Sequence, residues 1–363
     1  MLDGLRGVRD KGIRSTKMSN KLTNTSVVAL LQVAGLLILA TSTTRAGGVD
    51  NERQALVTSH HNPVEIVQKP DDIAPEDWGK EIAKWSEIIA QNPKDSVAYE
   101  YRGCCYFAKG SLDKAISDFT QAIQLDGNNA KTYLNRGNAH RAKNEFEKAI
   151  MDFNLAIAID AKYAEAYLSR GSTYQAKLEA DKAIEDMSKC LQFDPTNATA
   201  YKVRASLYSQ KGSFDKGISD FSEVLRMNPG DSDALTERGW TYFRMGRFAA
   251  AAQDYSEAIR VAPNNPKAYN DLGWLQATCP DVVMRNGKEA VGSATKACEL
   301  THWNDWKYID TLAAACAEAG DFKKAIEYQK QAIDMNEEKG DDRDEMQARL
   351  SLFEQQQPYH GKQ

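Results

Sequence analysis

The sequence has few of the residues that usually perform catalysis or bind metals. Its five histidines are scattered, and the adjacent pair His60 and His61 has no further candidates at zinc-ligand spacing. No nucleophile elbow, phosphate-binding loop or zinc-protease motif occurs. The formal net charge is -5, without the clustered basic face of a nucleic-acid binder. We therefore expect no catalytic residue, metal or cofactor, and no nucleic-acid partner.

Long apolar runs are also scarce, with one candidate near the N-terminus. Val27–Ala40 is uncharged and apolar, but it is shorter than the roughly 20 residues that span a bilayer. Lys17 and Lys21 precede it, and Ala46 follows at a position that suits signal peptidase. This pattern predicts export, with Met18 as the candidate start. The alternative is an uncleaved anchor or a buried helix, and residues 27–40 would contact a membrane only if the signal is uncleaved.

Most of the chain carries a 34-residue repeat. Its recurring motif begins at Tyr99, Tyr133, Tyr167, Tyr201, Leu235 and Tyr269. In units numbered from residues 96, 130, 164, 198, 232 and 266, position 8 is Gly or Ala. In the first five units, position 20 is also Gly or Ala and position 24 is Phe, Met or Tyr. Positions 4, 8 and 11 share one helical stripe, and positions 20, 24 and 27 share another. Each unit is therefore predicted to be a pair of amphipathic helices.

This pattern resembles the tetratricopeptide repeat, which has the motifs W-x2-L-G-x2-Y and A-x3-F and a closing proline. The resemblance implies an all-α fold, a right-handed α-solenoid of helix-turn-helix repeats. One hairpin cannot bury both of its apolar stripes, so neighbouring units complete each other's core. Glycine and proline, at 23 and 10 of 363 residues, are too few for a fibrous or disordered alternative.

The repeat also predicts how the chain is organised. Residues 1–46 form a signal peptide or N-terminal anchor, and residues 47–76 form a flexible linker. The solenoid covers residues 77–335, with a lone helix at 77–95 and a seventh unit from about residue 306. Residues 336–363 form a capping helix and a polar tail.

The sixth unit departs from the repeat. Its second-helix stripe falls five residues late, and Pro280 within the insertion should end the first helix. Residues 270–360 resemble a C-terminal module that is common in bacterial repeat proteins, notably those of planctomycetes. This second resemblance implies a bacterial protein of the exported type.

A second periodicity involves charge. Position 7 is Arg and position 23 is Asp in units one to five, which pairs Arg102 with Asp118, Arg136 with Asp152, Arg170 with Asp186, Arg204 with Asp220, and Arg238 with Asp254. Both positions are equally far from the predicted turn, so antiparallel helices should bring them level. We predict five structural ion pairs within units, because the guanidinium fork matches a carboxylate. The alternative is a ladder of arginines that binds anions or phosphates.

The six cysteines do not suggest a disulfide framework. Cys104 and Cys105 are adjacent, and Cys190 is at core position 27. Cys279 and Cys298 lie at opposite ends of their hairpin, on the order of 15 Å apart by helical rise. Bridged Cα atoms lie within about 7 Å. We expect free and mostly buried thiols.

The tetratricopeptide resemblance also implies where a ligand would bind. In this family, positions 2, 5, 6, 9, 12 and 13 of the first helix line the concave face. The candidate groove residues are Asn135, Asn138, Arg141, Ser172, Gln175, Lys202, Ser206, Trp240 and Trp274. Amides and hydroxyls can bond a peptide backbone, and the tryptophans offer flat anchors. The alternative is that both tryptophans pack against neighbouring helices.

These observations predict a non-enzymatic scaffold or adaptor that binds a protein or peptide outside the cytoplasm. An alternative is a self-associating structural or assembly factor of the cell envelope. A hydrolytic or carbohydrate-binding role ranks third.

Overall fold

The structure is a computed structural model that describes residues 78–336 and 341–361. The predicted signal peptide and the whole of the predicted linker therefore lie outside the described residues. Within the described ranges, no helix is both long enough and apolar enough to cross a membrane. In the described part of the chain, successive helices run antiparallel to one another. The predicted all-α solenoid is confirmed.

Sixteen α-helices occur in the described ranges. Helix α1 (Trp78–Gln91) precedes seven two-helix units, and helix α16 (Asp341–Glu354) follows them. The units are α2 (Ser96–Ala108) with α3 (Leu112–Leu125), α4 (Ala130–Ala142) with α5 (Phe146–Ile159), α6 (Ala164–Ala176) with α7 (Ala180–Phe193), α8 (Ala198–Gln210) with α9 (Phe214–Met227), α10 (Ser232–Arg244) with α11 (Phe248–Val261), α12 (Pro266–Thr278) with α13 (Gly287–Leu300), and α14 (Trp306–Glu318) with α15 (Phe322–Met335). Even-numbered helices from α2 to α14 are thus the first helices of their units.

Local sequence signals account for the ends of the helices. Most first helices start after an Asp or Asn whose side chain accepts a hydrogen bond from a backbone N–H group: Asp95, Asn129, Asn197, Asp231, Asn265 and Asp305.

The turn between the two helices of a unit requires a residue in the left-handed conformation. Gly110, Gly212, Gly246 and Gly320 supply it at φ of 74° to 83°. Leu178 takes the same place in unit three at φ 62°, where its Cβ is strained.

In units one to five, the core packs a small residue at position 8 against a large one at position 24. In the second unit, a Cβ atom added to Gly137 would lie 2.6 Å from a ring carbon of Phe153. The large residues at position 24 are almost fully buried: Phe119, Phe153, Met187, Phe221 and Tyr255. The close approach of the two helices therefore depends on the missing side chain at position 8.

First helices form one layer of the array. Helix α2 contacts α4, α4 contacts α6, α8 contacts α10, and α10 contacts α12. The second helices contact mainly the first helices of their own and the following unit. Successive first helices therefore approach one another more closely than successive second helices do. The first helices form the inner layer of the array, and the predicted groove residues lie on them.

The insertion in unit six forms a short connection of its own. Helix α12 ends at Thr278, two residues before Pro280, and a 3-10 turn follows at Val282–Met284. Arg285 fixes this connection, because its side chain donates to Glu318 at 3.1 Å and to the Cys279 carbonyl at 2.7 Å. The proline therefore ends the helix, and the extra residues fold against unit seven.

The C-terminal end contains a buried polar cluster that the repeat pattern does not predict. Arg349 of α16 donates to both carboxylate oxygens of Asp310, at 3.2 and 2.9 Å, and Gln329 donates to the same carboxylate at 2.7 Å. All three residues are buried. Gln329 occupies position 24, where units one to five place a large apolar residue, so the cluster replaces apolar packing in unit seven.

Residues after α16 return to units six and seven. The Gly361 N–H donates to the Thr278 carbonyl at 2.8 Å, and His360 lies 2.7 Å from Glu318. The Tyr359 ring lies 6.0 Å from the Trp274 ring. The described part of this segment, which belongs to the predicted polar tail, packs against the helices through an aromatic ring.

Candidate functional site

Five arginines at position 7 lie in identical surroundings. Their Nε and Nη2 atoms donate to the two carboxylate oxygens of the position-23 aspartate in the same unit, at 2.7–2.9 Å. The structure thus joins the pairs Arg102–Asp118, Arg136–Asp152, Arg170–Asp186, Arg204–Asp220 and Arg238–Asp254, and all five aspartates are buried. Each paired carboxylate raises the pKa of its arginine.

The same arginines also bind the preceding unit. Their Nη1 atoms donate at 2.6–3.2 Å to a polar side chain at position 25 of that unit: Ser86, Thr120, Asn154, Ser188 and Ser222. The sequence carried this signal, because position 25 is Ser, Thr or Asn in these five places, but sequence reasoning missed it. With three nitrogens engaged inside the protein, these arginines favour the structural interpretation over an anion-binding ladder.

A second set of ion pairs between units was also missed. Lys143 pairs with Asp113 at 2.5 Å, Lys177 pairs with Glu147 at 2.7 Å, and Lys211 pairs with Asp181. Each pair joins position 14 of one unit to position 18 of the unit before it. The acidic partners are exposed, so these pairs contribute little to stability.

Two of the predicted groove asparagines are buried between first helices. Asn135 and Asn138 are each 1% exposed. The Asn135 amide donates weakly to Cys104 Sγ of the preceding unit at 3.7 Å, but its Oδ1 has no partner. Both amide atoms of Asn138 are unpaired, and so is the Oγ atom of the buried Ser169. These side chains do not lie on an open surface, and their hydrogen-bonding capacity is largely unused.

The remaining candidates in units two to four are partly accessible. Arg141 is half-buried, as are Ser172, Gln175 and Ser206. Ser206 accepts a hydrogen bond from Gln210 at 3.3 Å. Lys202 forms an ion pair at 2.6 Å with Asp231 at the start of the next first helix, so its ammonium group is already compensated.

The two predicted tryptophan anchors differ. Trp240 is 37% exposed and stacks on Phe243, with ring centroids 5.5 Å apart and planes 13° apart. Trp274 is half-buried, with the Arg349 guanidinium 5.5 Å from its ring and Tyr359 beside it. Trp240 therefore remains available as an anchor. For Trp274 the structure supports the alternative of packing, because the returning C-terminal segment covers it.

The inner layer becomes acidic toward units five and six. Lys267 lies 2.7 Å from Glu237 and 3.7 Å from Asp271. Asp233 is exposed on the same first helix as Glu237. Glu237 and Asp271 thus share one lysine, and Asp233 is a third acidic group beside them. This end of the inner layer therefore favours basic or neutral ligand groups.

No arrangement for metal binding or thiol chemistry is evident in the described ranges. No group of three or more His, Cys, Asp or Glu residues there could hold a metal ion. All six cysteines are buried and free. Burial raises the pKa of Cys105 to about 11 and that of Cys190 to about 12. Such thiols stay protonated and are poor nucleophiles at neutral pH.

Comparison with known families identifies the repeat. Family models described as tetratricopeptide or TPR repeats match residues 103–141, 137–177, 164–197, 202–266, 236–278 and 308–339, which together span more than half of the chain. The chain is therefore a tetratricopeptide-repeat protein. Repeat solenoids of this family generally act as non-enzymatic scaffolds for protein–protein interaction.

Solved structures with similar folds include three repeat proteins. The C-terminal part of a TPR protein from Cytophaga hutchinsonii is 19% identical, with a TM-score of 0.54 over 65% of this chain and 95% of that chain. YrrB, described as a TPR protein with an unusual peptide-binding site, is 20% identical, with a TM-score of 0.45 over 51% of this chain and 95% of its own. Yeast Tom70 is 19% identical, with a TM-score of 0.47 over 92% of this chain and 72% of its own. At these identities the likeness concerns the fold alone. A search of curated proteins found no match.

Proposed function

We propose that the protein is a non-enzymatic scaffold that binds an extended segment of a partner protein along its inner layer of first helices. The observation that carries this proposal is the set of unpaired polar atoms on Asn135, Asn138 and Ser169. Buried polar groups are nearly always hydrogen-bonded, and an unpaired one costs about 1–3 kcal/mol. Because these atoms are buried without a ligand, the proposal requires the first helices to separate there, so that the N–H and C=O groups of a peptide backbone reach them.

Trp240 supports the same proposal from unit five. Tryptophan is enriched among residues that dominate binding energy, and here a flat ring backed by Phe243 faces solvent. Units two and five are three first-helix steps apart, or about 24–30 Å at the usual helix spacing. An extended peptide covers that distance with about seven to nine residues at ~3.4 Å each. A ligand of about ten residues would therefore contact both ends.

The test is selection from a displayed library of random decapeptides, followed by affinity measurement with the recovered sequences. Trp240→Ala should weaken binding about 30-fold, because a buried anchor contributes about 2 kcal/mol or more. Leu125→Ala is the matched control, since Leu125 is 40% exposed on a second helix outside the inner layer. Equal affinity of wild type and Trp240→Ala would refute a groove that includes unit five.

The export of this scaffold is part of the proposal. Support comes from the apolar run at residues 27–40 with lysines before it, and we propose a bacterial protein of the exported type. Cell fractionation with N-terminal sequencing tests this, with deletion of residues 27–40 as the control. A deletion variant that fractionates like the wild type would refute export through this segment. A wild type that keeps residues 27–40 in the membrane fraction would indicate an anchor.

A second candidate function is self-association as an assembly factor of the cell envelope. It is favoured by Met151, Leu155 and Ile159, which form an exposed apolar stripe along α5 at four-residue spacing. Light scattering of the protein and of a Met151→Glu/Leu155→Glu variant tests it. A wild-type dimer that the double substitution converts to a monomer would support self-association, and a wild-type monomer would exclude it at that concentration.

A further inference from the structure

The chain after α16 crosses the inner layer as a strap, residues 355–361. Its last five residues, 357–361, contain neither helix nor turn. Three consecutive strap residues contact alternate helices: Tyr359 lies against α12, His360 against α14 and Gly361 against α12 again. This alternation is typical of an extended chain, in which successive side chains point to opposite sides. The strap therefore lies in the seam between two neighbouring first helices.

The contacts of the strap fall at equivalent places in units six and seven. Trp274 is at position 9 of unit six, and it is one of the candidate groove residues. Thr278 and Glu318 are both at position 13, in units six and seven respectively. The inner layer thus already holds an extended segment at this seam, and that segment belongs to the same chain.

The Tyr359 ring fills a place whose two walls are fixed without it. One wall is Trp274 of α12, and the other is the guanidinium group of Arg349, which lies 5.5 Å from the Trp274 ring and 5.6 Å from the Tyr359 ring. Arg349 is held by its two hydrogen bonds to Asp310. An aromatic face and a cation both favour an aromatic ring between them. This place therefore selects an aromatic side chain.

The other two contacts of the strap are polar. Because Pro280 ends α12 early, the Thr278 carbonyl is one of the last carbonyls of its helix and lacks a donor within it. It accepts the Gly361 N–H at 2.8 Å, a main-chain bond that any residue except proline can donate. Glu318 lies 2.7 Å from the His360 ring. The seam therefore suits an aromatic residue followed by a side chain that donates a hydrogen bond.

The strap has few contacts compared with the helices that it crosses. Residues 355–357 are exposed, and so is His360. An ion pair or hydrogen bond at an exposed side chain contributes little. The Tyr359 ring and one main-chain bond hold the rest. Segments with so few buried contacts open at a small fraction of the cost of global unfolding.

We propose that the seam between α12 and α14 is a second peptide-binding site, which the strap occupies in the free protein. A partner segment with an aromatic residue followed by a basic or neutral hydrogen-bond donor binds there by displacing the strap. This inference rests on the proposed function, because the ligand is again an extended peptide. It adds units six and seven to the surface in units two to five, and it makes access to them depend on the strap.

The binding test uses the full-length chain and a fluorescent synthetic peptide of residues 355–363 as the probe. A tethered strap competes with the probe at an effective concentration on the order of 1 mM. Tyr359→Ser, which frees the site, should therefore bind the probe about tenfold more tightly than wild type does. Gln357→Ser is the matched control, because this exposed strap residue should leave the affinity at the wild-type value. A probe that itself carries Tyr359→Ser should bind none of these proteins.

Two further measurements locate the probe. Trp274→Leu combined with Tyr359→Ser should lose probe binding while its circular dichroism stays helical. Hydrogen exchange requires no substitution: the Gly361 amide should be protected in free wild type, and excess probe should remove that protection. Equal probe affinity of wild type and Tyr359→Ser would overturn the second site, and so would an unprotected Gly361 amide in the free protein.

The outcome for this site is distinguishable from that for the proposed groove. Library peptides that depend on Trp240, together with a probe that fails to bind Tyr359→Ser, would overturn the second site and leave the groove of units two to five intact. A library without any binding peptide, together with a probe that binds Tyr359→Ser, would overturn that groove and support the second site.

Discussion

The substitution Asp152→Asn tests how much the repeated ion pairs contribute to stability. In wild type, Arg136 donates to the two Asp152 oxygens at 2.9 and 2.7 Å and to Thr120 of the preceding unit at 3.2 Å. The asparagine has almost the same shape, but it loses the charge and turns an N–H₂ group toward one guanidinium nitrogen. Arg136 is then left without its counter-ion.

The expected magnitude follows from burial. Removing one partner of a buried ion pair typically costs about 3–5 kcal/mol. The Asp152 side chain is 5% exposed, but that of Arg136 is 18% exposed. Because water partly screens the stranded guanidinium, we expect a loss of about 2–3 kcal/mol. Thr120→Val, which removes the bond from Arg136 and the hydroxyl's own bond to the Ile116 carbonyl, should cost about 1 kcal/mol.

Urea unfolding followed by circular dichroism measures this loss. With a slope of about 2–3 kcal/mol/M, the midpoint of Asp152→Asn should fall by about 1 M. Hydrogen exchange should place the loss in α4 and α5, because repeat arrays also open locally. Glu147→Gln is the control, since it breaks a pair whose carboxylate is exposed, and it should leave the midpoint unchanged. Equal midpoints for Asp152→Asn and Glu147→Gln would refute the reasoning.

Four further substitutions test the packing. Gly137→Ala should destabilise the protein by about 1–3 kcal/mol, because its Cβ would overlap a ring carbon at 2.6 Å. Gly292→Ala, where nothing lies within 4 Å, should stabilise it by ~0.5–1 kcal/mol, and a loss there would contradict the steric explanation. Leu178→Gly should raise the urea midpoint by the equivalent of about 0.5–1 kcal/mol, because φ is 62° in a turn that glycine occupies elsewhere. Arg349→Met should cost about 3–5 kcal/mol by leaving Asp310 buried without its cation; an unchanged thermal midpoint would exclude that role.

The repeat period made much of this structure predictable. Arg136 and Asp152 are equally far from the turn between their helices. Antiparallel packing of the two helices therefore places them side by side. The bond from Arg136 to Thr120 was equally periodic and could have been predicted in the same way. Each such contact joins residues of one unit or of adjacent units, so a local pattern is sufficient to specify it.

The candidate groove was less predictable, because helical position alone does not determine exposure. Asn138 and Trp240 both occupy position 9, yet Asn138 is 1% exposed and Trp240 is 37% exposed. The difference depends on the side chains of neighbouring first helices, which vary from unit to unit. The buried and unpaired Nε atom of Arg141 likewise became visible only in the tertiary structure.

The sequence alone thus determined the class of fold, the helical units and the pairing of charges within them, because these follow from contacts that recur every 34 residues. Only the tertiary structure decided the two regions that break the period. Trp274 is covered by Tyr359, and Asp310 is neutralised by Arg349 from a helix outside the repeats. Along the inner layer, the tertiary structure leaves Asn138, Arg141 and Ser169 with unused hydrogen-bonding groups. Contacts of this kind join residues at irregular separations, and no periodic pattern encodes them.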